Sequence, residues 1–183
     1  MNNYITFQSE RLIIRPTLEK DAELIYQLMN SPKFIKYVGD RQLYSVEDAE
    51  KYIQDKMLPQ LHSIGYSNYS LINKKTGAKI GICGLYKREG LDGIEIGFGI
   101  LPPYEGLGYA FESSSRLIKA GFEELEISEI KAITNKENIS SQSLLYKLGF
   151  KHEGTIMLPN ENDELLSYKI KYKISLVCPI KVT

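Results

Sequence analysis

The chain has only two cysteines and two histidines among its 183 residues. Cys83 and Cys178 stand far apart and belong to no C-x-x-C or His-paired cluster, so a zinc site or redox motif lacks its ligands and a reducing compartment is expected. His62 and His152 have no triad partner or ligand-spaced neighbour, which favours surface or packing roles over catalysis. No uninterrupted apolar run approaches the roughly 20 residues of a membrane helix, and Met1-Asn2-Asn3-Tyr4 carries neither the basic nor the apolar region of a secretion signal. Charge of one sign is missing too. Lys and Arg number 23 against 23 Asp and Glu, so no global field draws the chain to nucleic acid or an anionic membrane. Together these absences predict a mature cytoplasmic protein with no metal, nucleic-acid or membrane partner, whose specificity is local.

What is present is the composition of an ordinary globular domain, with 43% apolar and 25% charged residues. A chain of this length buries roughly 70% of its unfolded surface in one core. No repeat, low-complexity tract or linker divides it, so a single domain is expected over 1–183. Arg11-Leu12-Ile13-Ile14-Arg15 reads as a strand ended by Pro16. Thr17 is then a plausible N-cap for a helix that carries Glu19 and Asp21 in its first turn and runs to about Asn30, before Pro32. Ser45-Val46-Glu47-Asp48 opens a second helix, with Val46, Ala49, Ile53 and Met57 on one face and Pro59 as its kink or end. From Tyr66 the period changes to that of a strand. Tyr66 to Ile72, Lys79 to Tyr86 and Ile94 to Leu101 form an antiparallel meander, turned at 73–77 and at Gly90-Leu91-Asp92-Gly93. A long helix through Glu124, a strand at Ile130 to Thr134, a short helix from Ser140 to Leu148 and strands near 150–157 and 165–177 complete the order. In the last of these Tyr168, Ile170, Tyr172 and Ile174 should be buried and Lys169, Lys171 and Lys173 wet. The class is mixed α/β in the α+β sense, with a largely antiparallel sheet.

Gly106-Leu107-Gly108-Tyr109-Ala110 lies between a strand and a helix. Glycines there let successive amide N–H groups turn toward an anion, and the helix N-terminus adds partial positive charge. The dinucleotide fingerprint fails at Phe111, where its third glycine belongs, and no Gly-Lys-Ser/Thr follows to make a P-loop. Taken alone, the segment is as well read as a flexible strand-to-helix turn.

Its neighbours decide between the two. Glu95-Ile96-Gly97-Phe98-Gly99-Ile100-Leu101-Pro102-Pro103 upstream, and 138–150 (Asn-Ile-Ser-Ser-Gln-Ser-Leu-Leu-Tyr-Lys-Leu-Gly-Phe) with Glu153-Gly154 downstream, resemble consecutive motifs of the GCN5-related N-acetyltransferases (GNAT). Glu10-Arg11-Leu12-Ile13-Ile14-Arg15-Pro16 with Asp21-Ala22 is similar to the branch that includes the ribosomal-protein Nα-acetyltransferases. The resemblance spans about Glu10 to Tyr172. One departure is Pro103, which stands where the family usually begins its phosphate loop with Gln or Arg. The resemblance implies a sheet splayed at its fourth strand with helices on both faces. Acetyl-CoA, as co-substrate, would lie with its pantetheine arm along Phe98, Gly99 and Ile100. Its pyrophosphate would rest on the amides of Gly106, Leu107, Gly108, Tyr109 and Ala110, with Asn138 and Ser141 on the opposite wall. Asn138 is equally suited to capping the short helix.

Acetyl transfer to an amine needs a base, because an α-amine of pKa ~8 or a lysine amine of ~10 arrives largely protonated. The resemblance implies Glu95 for this task; as a residue it also reads as an ordinary strand-edge carboxylate. A backbone N–H near Phe98 or Gly99 would stabilise charge on the thioester oxygen. The resemblance places Tyr146, or else Ser141, as proton donor to the leaving thiolate, Tyr146 having an alternative reading as packing aromatic. No cysteine falls in these motifs, so direct transfer in a ternary complex is expected rather than a covalent acetyl-enzyme.

The segments 31–44 and 158–166 flank the open side of the implied cleft and should select the acceptor. The second carries Glu161, Asp163 and Glu164, which either attract a cationic amine or are merely solvated. The expected function is transfer of acetyl to a primary amine, with a protein N-terminal α-amine as the finer expectation. The alternatives are a small amine such as an amino acid, polyamine or antibiotic, and a non-catalytic acyl-CoA sensor. Monomer and homodimer both remain open.

Overall fold

The computed structural model describes residues 4–159 and 163–172. Among these residues eight strands form one sheet in the order β1-β2-β3-β4-β5-β6-β8-β7. They are β1 (Phe7–Gln8), β2 (Leu12–Pro16), β3 (Asn68–Asn73), β4 (Lys79–Arg88), β5 (Leu91–Ile100), β6 (Glu129–Thr134), β7 (Lys151–Ile156) and β8 (Leu165–Lys171). Every neighbouring pair is antiparallel except β5 and β6. That parallel pairing is confined to Ile94 with Ile130 and Glu95 with Lys131. Beyond it the strands part, so the expected splay lies at the strand read as the fourth, now β5 because of the two-residue β1.

Helices cover both faces. On one side α1 (Ala22–Met29), α3 (Val46–Tyr52) and α4 (Leu58–Ile64) bury Leu24, Ile25, Leu28, Ala49 and Leu61 with Ile82 and Leu101 of the sheet side. On the other, α5 (Tyr109–Glu123) buries Leu117, Ile118 and Ala120 among Cys83, Leu85, Ile96 and Ile130. Two further helices, α2 (Pro32–Val38) and α6 (Ile139–Lys147), stand at the parted end of the sheet. Ser45 caps α3 as expected: its hydroxyl accepts from Asp48 N–H at 3.1 Å, and the Asp48 carboxylate accepts from Ser45 N–H at 3.0 Å. A π-helical stretch over Ile53–Met57 then passes into α4, with Pro59 in its first turn where a missing N–H costs nothing.

Several local expectations are corrected. Thr17 does not cap α1. Its N–H extends the strand ladder to Asn68 O at 2.9 Å and its buried hydroxyl meets Ser70 Oγ at 3.0 Å, so a 3-10 turn at Glu19–Asp21 intervenes. Pro32 opens α2 rather than merely ending α1. The β4–β5 turn is tighter than Gly90 to Gly93, since Arg88 already pairs with Leu91. In β8 Tyr168 is buried, but Tyr172, just past its end, is 46% exposed with its ring against Phe122, and Lys173, Ile174 and the rest of the expected strand to Val177 lie outside the described residues. Among the described residues no helix is long and apolar enough to cross a membrane.

Candidate active site

The parting of β5 from β6 leaves the main-chain groups of 96–100 that face away from β4 without a strand partner. Two cavities meet along this open edge. The first, about 500 Å³, contains Tyr86, Arg88 and Glu95 in its wall. The second, about 690 Å³, runs past Ile100 to Gly106, Gly108, Tyr109 and Ala110. Phe98 and Gly99 of β5, Asn138 and Ser141 at the start of α6, and Phe34, Tyr37 and Val38 of α2 line both. The sequence-predicted phosphate loop, pantetheine strand and α6 residues are therefore gathered into one cleft. Leu107 is exposed and lines neither cavity.

The loop is shaped by left-handed glycines, Gly106 at φ 72° and Gly108 at φ 83°, the latter preceding α5 as its N-cap. A non-glycine residue pays a steric penalty in this conformation. None of the backbone N–H groups of Gly108, Tyr109, Ala110 and Phe111 donates a hydrogen bond within the described residues, as expected for the first turn of a helix. These donors and the α5 dipole suit a phosphate.

A bracket invisible to sequence inspection holds this loop. Arg11 of the β1–β2 turn donates from Nη1 to Leu107 O at 3.0 Å and from Nε to Glu112 Oε2 at 2.6 Å, and its guanidinium lies 4.3 Å from the Tyr109 ring centre. Glu112 Oε1 accepts from Arg11 N–H and from Ser9 Oγ, each at 2.7 Å. Burial would push the Glu112 carboxyl up, but these donors outweigh it and hold it below the usual carboxylate range. About a hundred residues of intervening chain separate the partners, so no local pattern reveals the bracket.

On the other side of the junction Glu95 is 3% exposed, and Arg88 grips both its oxygens: Nε donates to Oε2, and Nη2 to Oε1 at 3.3 Å. Burial pushes the Glu95 carboxyl up against the pull of Arg88, and the upward effect prevails. The Arg88 guanidinium also stands 5.7 Å from the ring centre of Tyr86, whose hydroxyl occupies the space above Gly97; a Cβ at Gly97 would lie 2.0 Å from it. Glu95 is thus a buried, paired carboxylate in the wall of a cavity, not the solvated strand-edge residue of the alternative reading. Arg88 was missed because the turn was read too long. With Arg88 opposite Leu91, Tyr86 falls opposite Glu95 and the arginine beside it.

Asn138 caps α6, its Oδ1 accepting from Ser141 N–H at 3.2 Å and Ser140 Oγ at 2.9 Å, while also lining both cavities. The capping reading is thus met, and the same residue faces the cleft. Tyr146 is different. Leu145 is the residue of that turn that enters the first cavity, and one position later the helix has rotated by about 100°. Tyr146 is consequently 57% exposed, lines neither cavity, and packs edge-on against Tyr168 at 5.5 Å between ring centres. Burial and the bond with Tyr146 push the Tyr168 hydroxyl up to about 12.

Both segments expected to select the acceptor border the cleft. From 31–44, α2 reaches both walls, Lys33 pairing with Glu105 and Lys36 with Glu137 at 3.2 Å. From 158–166, Leu158, Asp163 and Leu165 line the first cavity; Glu164 is engaged by Lys136 at 2.8 Å, and Glu161 lies outside the described residues.

A family profile described as Acetyltransferase (GNAT) domain matches residues 11–151. The uncharacterized N-acetyltransferase p20 of Bacillus licheniformis is 33% identical over 153 residues, 82% of this chain and 85% of that protein. Spermidine N(1)-acetyltransferase of Escherichia coli K12 is 26% identical over 79% of this chain and 75% of its own length. Among solved structures, a GNAT-family acetyltransferase from Bacillus anthracis superposes with TM-score 0.75 at 26% identity, covering 91% of this chain and 98% of that one. RimL, a ribosomal L7/L12 α-N-protein acetyltransferase solved with coenzyme A, shares the fold at TM-score 0.70 and 17% identity, over 91% of this chain and 98% of its own.

Proposed function

The chain belongs to the GNAT N-acetyltransferase family, and on that premise we propose that it transfers acetyl from acetyl-CoA to a primary amine directly, in a ternary complex at the junction of the two cavities. The observation that carries this reading is the open edge of β5, which leads from the Glu95 cavity to the unengaged N–H groups of α5. Acetyl-CoA supplies an activated acyl group on a thiol that leaves readily. The residues of this chain supply the rest.

The N–H groups at Gly108 to Phe111, held by the Arg11 bracket, bind the diphosphate in place of the side chain that Pro103 lacks. The exposed edge at Phe98, Gly99 and Ile100 pairs with the amides of the arm like an added strand. Glu95 takes a proton from the acceptor ammonium, directly or through water; burial makes its carboxylate a better base than a free one. A backbone N–H at Phe98 or Gly99 faces the carbonyl oxygen as charge develops there. Ser141, at the meeting of both cavities, returns a proton to the thiolate. The helical register favours it over Tyr146, whose ring turns onto Tyr168.

The relatives' own names point to acceptors as different as a polyamine and a ribosomal-protein terminus, so kinship alone assigns no acceptor. The test is acetyl-CoA binding by calorimetry together with thiol release on adding amines. Binding with amine-dependent release is expected. Binding without release for any amine would leave a sensor of acyl-CoA, and no binding would remove the site altogether.

A further inference from the structure

The first cavity is poorly matched to a polycation. Its lining contains five basic residues, Lys36, Arg41, Lys56, Lys87 and Arg88, against three acidic ones, Glu89, Glu95 and Asp163. Arg88 and Glu95 neutralise each other, and the partner of Lys36, Glu137, lies outside the lining. Arg41, Lys56 and Lys87 form no ion pair among the described residues. The acidic segment that might have offset them contributes only Asp163 to the described lining, since Glu164 is turned to Lys136. The remaining wall is apolar, with Met29, Phe34, Tyr52, Met57, Ile82 and Phe98.

An amine that must approach such a lining as a cation is helped if the rest of the molecule is anionic, because the potentials then complement one another. The wall offers this in compact form. A guanidinium and a carboxylate lie side by side in Arg88 and Glu95, and further basic side chains line the same cavity. We propose that the acceptor is a small α-amino-acid-like molecule, a primary amine with a carboxylate a few bonds away and an apolar side chain, its carboxylate held by Arg41, Lys56 and Lys87 and its amine turned to Glu95. This rests on the transferase reading given above. In the reaction the amine nitrogen forms a bond to the acyl carbon as the carbon–sulfur bond breaks. One proton passes from the ammonium to Glu95 before attack and on to solvent; the proton lost by the new amide nitrogen reaches the thiolate by relay through the Ser141 hydroxyl, which gives up one proton and takes back the other, so that one proton is released per turnover.

The test compares L-phenylalanine, L-phenylalaninamide, 2-phenylethylamine and spermidine by kcat/KM for thiol release, with each rate referred to the free-amine fraction, since their amines titrate differently. The free acid is expected to exceed its amide and the decarboxylated amine by about tenfold, with spermidine lowest, and the preference should shrink as salt screens the rim. Lys56→Glu with Lys87→Glu, both exposed residues of the lining, should bring the acid-to-amide ratio toward one while the circular dichroism spectrum is kept. An amide or decarboxylated amine used as well as the acid, a leading rate with spermidine, or an acid-to-amide ratio unmoved by the double substitution would overturn the proposal. Thiol release with none of the four, despite acetyl-CoA binding, would overturn this proposal alone, since the transferase reading falls only if no amine of any class, peptide N-termini included, releases thiol.

Discussion

Asp21→Asn tests the buried ionic anchor that seats α1 beneath the cleft. Asp21 has no solvent exposure. Its carboxylate accepts from Arg15 Nη1 and Nη2 at 2.6 and 2.7 Å, from Ser70 Oγ at 3.0 Å and from Leu18 N–H at 3.1 Å, and Lys79 Nζ lies 2.7 Å away. These contacts tie β2, β3 and β4 to the turn that starts α1, and Leu28 of α1 then rests against Gly99 of β5. An asparagine keeps the shape but removes the charge and presents donors to donors. Breaking a buried pair in this way costs about 3–5 kcal/mol, a large share of the roughly 5–15 kcal/mol that holds a domain folded. The pH dependence follows. Burial alone would raise the Asp21 carboxyl, but Arg15, Lys79 and the Leu18 N–H outweigh it and hold the carboxyl well below the usual range. A depressed folded value means that the stabilisation is complete above the unfolded pKa of ~3.9 and is lost as pH falls below it toward the folded value. Urea unfolding followed by circular dichroism should therefore show a wide gap between parent and variant at pH 7 that narrows below about pH 4. A gap under about 0.5 kcal/mol at pH 7, or one that stays constant into acid, would refute the reasoning.

Three further outcomes concern the site. Gly108→Asp brings a negative charge and a Cβ into the α5 cradle; like charges about 5 Å apart cost about 1–3 kcal/mol, so calorimetry should find acetyl-CoA bound roughly fivefold to a hundredfold more weakly, with the loss eased by salt. Ser141→Ala should lower kcat about tenfold with little change in acetyl-CoA affinity, whereas Tyr146→Phe should stay within about twofold of the parent; the reverse pattern would return the donor role to Tyr146. Glu95→Gln should abolish the acid limb of the kcat/KM profile, a limb that in the parent lies above the ~4.3 of an unperturbed glutamate because Glu95 works only when deprotonated; a limb that persists in the variant belongs to another group.

Much of this arrangement was legible where the deciding physics is local. The capping box at Ser45, the alternation in the meander and the glycine loop before α5 each express a preference of a few adjacent residues, and each appears where it was expected. Expectations failed where a distant partner wins. Thr17 has the chemistry of a cap, but strand pairing with Asn68 and contact with Ser70 claim its backbone and hydroxyl. Tyr146 sits in a motif, yet a helix assigns directions in steps of about 100°, so one place along α6 exchanges the cavity for Tyr168. The Arg11–Glu112 bracket and the Arg88–Glu95 pair depend on register and tertiary approach. Only the second had a possible signal, the tight turn at Glu89 and Gly90.

Among the described residues two rungs alone, Ile94 with Ile130 and Glu95 with Lys131, join strands β1 to β5 with β6, β8 and β7. Helix α5 makes good the deficit. At Gly121 it lies so near that a Cβ would stand 2.9 Å from Ile130 of β6 and 3.3 Å from Leu85 of β4, bridging the seam with its far end while its near end carries the unengaged N–H groups of its first turn. One rigid rod is thus both rivet and handle. The two halves of the protein thus share their mechanical continuity with the very element proposed to meet the ligand.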